Sequence, residues 1–127
     1  MKTWTQEEAR DYLVKYHMIN TDDDLSGKEG IHIVFDRIQS IQVDPLDVVG
    51  RNVDLVLQSR VTGYKKYSYE ELLYKDRTIV DGWDKQMSIY KAEDFPKFKD
   101  VRRDRAKSEI NTMNNRLQMD ALKYLDD

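Results

Sequence analysis

Apolar residues recur at helical spacing in several stretches of the chain and at strand spacing in others. Ala9, Tyr12, Leu13 and Tyr16 share one helical face, and Thr5 followed by Glu8 is a capping-box signature. The pair predicts a first helix from Gln6 to Tyr16 or Met18. Stretch 20–30 carries three consecutive Asp and two Gly, which predicts a loop with the next helix starting after Ser26. Ile31, Val34, Phe35 and Ile38 keep the i, i+3, i+4, i+7 pattern of a second helix ending near Ser40. Residues 41–44 are short, apolar and extended, because Pro45 disfavours helix at Asp44. A third helix is expected over 51–60, with Val53, Val56 and Leu57 inward. Ser68 and Glu71 predict a second capping box and a helix through about Lys75. Residues 78–80 and 86–90 read as strands joined by a turn at Asp81-Gly82.

Beyond Pro96 the pattern changes. Residues 98–127 contain neither Gly nor Pro, and Ile110, Met113, Leu117, Ala121 and Tyr124 line one face of a long helix or of a broken pair. Asn111, Asn114 and Asn115 weaken its middle. That face needs a partner, either a second copy or a further domain. The expected fold class is α+β: a mostly helical winged-helix domain with a small β-hairpin wing and a long C-terminal helix. The expected division is a winged-helix domain over 1–96 and a helical extension over 97–127.

Composition narrows the class. The chain has 127 residues, 39% hydrophobic and 35% charged, enough apolar material for one domain with a core rather than a disordered segment. The absence of Cys excludes disulfides and thiolate metal sites. No apolar stretch reaches membrane-spanning length and the N-terminus lacks an apolar signal core, so a cytoplasmic protein without membrane contact is expected. His17 and His32 have no matching ligand cluster, so no metal site is expected. There is no glycine-rich phosphate loop and no nucleophile elbow. The net charge of -3 counts against binding nucleic acid by bulk electrostatics. One local exception is Lys97, Lys99, Arg102, Arg103, Arg105 and Lys107, a run that is either a solvated helix face or a DNA-contacting one, with Arg102 and Arg103 as its candidate contacts.

Chemistry concentrates at Gln42 and Asp44. Residues i and i+2 of an extended run project on the same side, so the amide and the carboxylate point together while Val43 points into the core. Taken alone, the pair also reads as a strand end and an Asp-Pro turn. Its context is the run IQVDP, then Arg51, Ser59-Arg60, LLYKDR at 72–77, and Trp83 with Ser88. In this order and spacing, over roughly residues 5–103, the chain resembles the AlkZ-like (YcaQ-type) DNA glycosylases, proteins built from tandem winged-helix domains.

That resemblance implies a monofunctional, cofactor-free DNA-repair enzyme that hydrolyses the N-glycosidic bond of alkylated purines in double-stranded DNA. It implies Asp44 as the carboxylate that stabilises charge on the sugar and activates water, and Gln42 as the amide that holds that water, or the carboxylate, in line. Arg51 and Arg60 then contact phosphate, or else pair with Asp47 or Asp54. Members are much longer, so the chain corresponds to their first domain plus the lead-in to a second, an incomplete enzyme by itself. Two departures stand out: Val53 where many members carry His, and Trp83-Asp84-Lys85 where many carry Trp-x-His. The alternative function is a non-catalytic winged-helix module that binds DNA or a protein.

Overall fold

A computed structural model describes residues 3–19 and 24–123, with side chains of the last helix described through Leu117. Helix α1 spans Gln6–Tyr16, and its Thr5/Glu8 capping box is formed: Glu8 N–H donates to Thr5 Oγ1 at 3.2 Å, and Thr5 N–H to Glu8 Oε2 at 2.8 Å. Helix α2 (Gly27–Ile38) buries Ile31, Val34 and Phe35, the face the periodicity predicts. Strand β1 (Ser40–Gln42) follows, then helix α3 (Asn52–Gln58) with Val53 and Leu57 inward. A short turn of helix α4 (Ser68–Glu70) runs into a π-helical segment, Glu71–Lys75. Strands β2 (Ile79–Trp83) and β3 (Met87–Lys91) form a hairpin, and a 3₁₀ segment (Ala92–Phe98) leads into helix α5 (Lys99–Lys123).

The three strands form one antiparallel sheet in the order β1-β3-β2. Ile41 lies opposite Ile89, and Gln42 opposite Ser88. The core packs Ile31, Val34 and Phe35 of α2, Val53 and Leu57 of α3, Leu72, and Ile41, Ile79 and Ile89 of the sheet. The result is an α+β domain with a small sheet and a long C-terminal helix.

Two local expectations are corrected. Asp81-Gly82 is not the hairpin turn but lies within β2. Gly82 is there for space: a Cβ would sit 2.3 Å from the Tyr90 hydroxyl oxygen. The turn is made two residues later, where Gln86 N–H donates to Asp84 Oδ1 at 2.9 Å. The second capping box does not form either. Ser68 is already inside the helix and donates to the Lys65 carbonyl, while Glu71 pairs with Lys28. No residue of α1 is buried. Its rings cover one another instead, Trp4 edge-on to Tyr12 at 5.2 Å and Tyr12 stacked on Tyr16 at 5.9 Å.

Helix α5 is continuous across Asn111, Asn114 and Asn115. Ile110, Met113 and Leu117 are each more than half exposed. Ala121 belongs to the stretch whose side chains are not described, and Tyr124 lies outside the described residues. Among the described residues, no helix is long and apolar enough to cross a membrane.

Candidate active site

Strand β1 is short, and it is fixed from both sides. Ile41 is buried against the core, which sets the alternation: Gln42 is exposed, Val43 packs inward, and Asp44 is exposed. Val43 N–H donates to the Met87 carbonyl at 2.8 Å, extending the ladder one residue beyond the strand. On the other side, Asn52 Nδ2 at the start of α3 donates to the Gln42 carbonyl at 2.8 Å. The backbone of Gln42 is therefore held while its side chain faces solvent. Among the described residues, the Gln42 amide makes no side-chain hydrogen bond.

Asp44 starts an Asx turn, its Oδ1 accepting from Leu46 N–H at 2.9 Å. It also lines a groove of about 310 Å³ shared with Asp47, Arg51 and Tyr69 over Val43 and Val53. Gln42 stands outside that lining. Arg51 immediately precedes α3, and its Nη1 donates to Tyr69 Oη at 3.3 Å and to Glu70 Oε1 at 3.1 Å. Its guanidinium also stacks over the Tyr67 ring at 4.8 Å. Its acidic partner is thus Glu70, not Asp47 or Asp54. Burial, acting against the Arg51 contact, raises the Tyr69 phenol above its ordinary value and keeps it protonated at neutral pH.

Asp54 supports this wall from beneath. It is buried, and its Oδ1 accepts from the Tyr64 hydroxyl and from Tyr67 N–H, both at 2.7 Å. Tyr67 adopts a left-handed backbone with φ at 68°, which the Asp54 bond holds in place. Burial, followed by the Asp54 bond, pushes the Tyr64 phenol far above its ordinary value, so the hydroxyl remains a donor.

The remaining candidate arginines have other company. Arg60 donates from Nε to the His17 carbonyl and from Nη1 to the Val56 carbonyl, each at 2.8 Å, joining the end of α1 to the end of α3. Arg102 donates to the Phe95 carbonyl at 2.6 Å and lies 3.6 Å above the Phe95 ring. Arg103 pairs with Asp100 at 2.7 Å. The groove brings Asp44 and Arg51 together, and its lining includes none of these three.

Two contributors carried no clear sequence signal. Tyr69 sits in a segment that reads only as helix. Asp84 gathers the sheet behind β1: its Oδ2 accepts from Ser40 Oγ at 2.7 Å, and its Oδ1 from Ser88 Oγ at 3.1 Å. Ser88 is the cross-strand partner of Gln42, so Asp84 fixes the register that presents the pair. Burial alone raises the Asp84 carboxyl, but the bonds from Gln86, Ser40, Ser88 and Lys85 outweigh it and leave the group below its ordinary value.

A family model described as DNA glycosylase AlkZ-like matches residues 35–126, which include β1, the groove and the hairpin. The chain belongs to the AlkZ-like DNA glycosylase family. No curated protein and no solved structure matches it. Within this AlkZ-like chain, Val53 is buried and lines the groove.

Proposed function

We propose that this domain serves a DNA-repair glycosylase that hydrolyses the N-glycosidic bond of alkylated purines in duplex DNA, with Gln42 and Asp44 as its catalytic pair. What supports this reading is that Gln42, at the end of β1, and Asp44, two residues on, are both exposed where the backbone of Gln42 is held from two sides, with Asp44 opening onto a groove. A winged-helix architecture is consistent with the β1-β3-β2 sheet and the preceding helices.

A purine alkylated at N7 carries positive charge, so the leaving base accepts the C1′–N9 electron pair without a strong acid from the enzyme. Asp44 lowers the energy of the cationic sugar and takes a proton from water as its oxygen bonds to C1′. Gln42, whose amide makes no hydrogen bond among the described residues, orients that water. Arg51, held by Tyr69 and Glu70, offers its remaining donors to a phosphate at the groove rim. No metal or organic cofactor is assigned a role.

The test is release of N7-methylguanine from methylated duplex DNA. Asp44→Asn keeps an acceptor for Leu46 N–H, so the turn survives while the base function is lost. Release is expected to fall by roughly 10²–10⁴-fold, the usual contribution of a positioned base. Unchanged release by Asp44→Asn would remove the pair from the mechanism.

A second reading has its own observation. Ile110, Met113 and Leu117 form an exposed apolar row on α5, which suits docking to a second copy or to a further domain. Leu117→Asp abolishing a concentration-dependent dimer would support the former.

A further inference from the structure

Two local costs meet at one hydrogen bond beside the groove. Asp54 is 3% exposed, and its Oδ2 has no hydrogen-bond partner among the described residues. Burying a carboxylate with an unmet oxygen costs free energy that an apolar side chain would not. Tyr67 holds φ at 68°, a left-handed conformation that is unfavourable for a residue with a side chain. Tyr67 N–H donates to Asp54 Oδ1 at 2.7 Å, so the two costs are joined. Costs of this kind gather where a site needs a fixed geometry. We infer that Asp54 is a positioning residue: through Tyr67 it aims the free edge of the Arg51 guanidinium at a DNA phosphate on the groove rim. The assignment rests on the phosphate reading of Arg51 given above and names what holds that side chain in line.

The link runs through the Tyr67 ring. The Arg51 guanidinium lies 4.8 Å from its centroid and Lys66 Nζ 4.9 Å, so two cations depend on where this ring stands. Arg51 lines the groove together with Asp44. Its bonds to Tyr69 Oη and Glu70 Oε1 both leave from Nη1. The Nε and Nη2 donors make no hydrogen bond among the described residues, and that edge is the fork with which an arginine grips two phosphate oxygens. A guanidinium bonded at one nitrogen alone still swings about that point. The ring facing its central carbon limits the swing. Asp54 makes no bond to Arg51 itself; its Oδ1 is engaged by Tyr67 N–H and by the Tyr64 hydroxyl, the latter also at 2.7 Å. Its influence on Arg51 therefore passes through Tyr67.

The test is binding of the whole chain to a fluorescein-labelled methylated duplex, read by anisotropy, with the melting temperature of each variant measured alongside. Arg51→Ala is expected to raise the half-saturating DNA concentration roughly tenfold, and Asp54→Ala nearly as much. The double variant binds no more weakly than Arg51→Ala alone, because Asp54 acts through that guanidinium. Asp54→Asn keeps Oδ1 as an acceptor and recovers most of the lost affinity. Tyr67→Gly separates aim from folding: glycine accepts the left-handed backbone and keeps its N–H for Asp54, while the ring facing Arg51 is gone. Its melting temperature stays close to wild type while binding weakens several-fold. If Asp54→Ala does not fold, Tyr67→Gly decides alone. Wild-type affinity in Asp54→Ala or in Tyr67→Gly overturns the positioning role. So do losses that multiply in the double variant, losses that only track melting temperature, or a wild type that does not bind the duplex. Base release keeps the two assignments apart: normal release by Asp44→Asn removes the catalytic pair and leaves the Asp54 result standing, whereas wild-type binding by Asp54→Ala removes the positioning role and leaves the pair.

Discussion

Strand β1 and helix α5 both carry charged or polar side chains toward solvent, and they use them differently. On α5 the two candidate cations are satisfied locally: Arg103 by Asp100, and Arg102 by the Phe95 carbonyl and ring. At the end of β1 the protein ties down the backbone around Gln42 while leaving its amide exposed, and Asp44 just beyond keeps one carboxylate oxygen outside its turn bond. A dense run of charge is therefore a poor guide to a reactive surface. A rigid backbone presenting unspent donors and acceptors is a better one.

The comparison is broken most severely by disturbing what holds the sheet. Gly82→Ala forces a methyl into the Tyr90 hydroxyl, and overpacking of this kind costs about 1–3 kcal/mol or more. A urea midpoint near that of the wild type would mean that β2 yields and that the sheet is softer than described. Asp84→Ala strips the partners of Ser40 and Ser88 and is expected to destabilise by roughly 1–3 kcal/mol. It should also slow base release, because the register opposite Gln42 loosens. Loss of stability without loss of release would detach Asp84 from the site.

The pH dependence of that variant sharpens the point. The Asp84 carboxyl titrates lower in the folded protein than its unfolded value of about 3.9. Its contribution is therefore present above that value and disappears as pH falls through the folded one. The stability gap between wild type and Asp84→Ala should be full at neutral pH and shrink below about pH 4. A gap that widens on acidification contradicts the hydrogen-bond geometry. The smallest effect belongs to α5. Arg103→Ala should change stability by less than about 0.5 kcal/mol, as exposed substitutions do, and should leave the salt dependence of DNA binding intact. A shallower salt dependence would make α5 a phosphate-contacting helix after all.

Much of this molecule is legible in its sequence where the signal is local. The capping box at Thr5, the buried face of α2 and the outward projection of Gln42 and Asp44 follow from spacings of two to four residues. The misreadings are non-local. Asp81-Gly82 has turn chemistry, yet the glycine answers to Tyr90 across the hairpin. Ser68 and Glu71 have capping spacing, yet Lys28, more than 40 residues away, claims the glutamate. Arg60 spends its donors on His17, 43 positions earlier. Tyr69 reaches the groove only because the chain returns beside α3. No periodicity encodes these pairings, since each depends on which segments the core brings together.

The claim that chemistry resides at β1 rather than along α5 is tested most directly by single-turnover release of N7-methylguanine from methylated duplex DNA. The variants to compare are Asp44→Asn and Arg102→Ala/Arg103→Ala. The account predicts a loss of roughly 10²-fold or more for the first and nearly wild-type release for the second. Normal release by Asp44→Asn with release abolished in the arginine variant would contradict it.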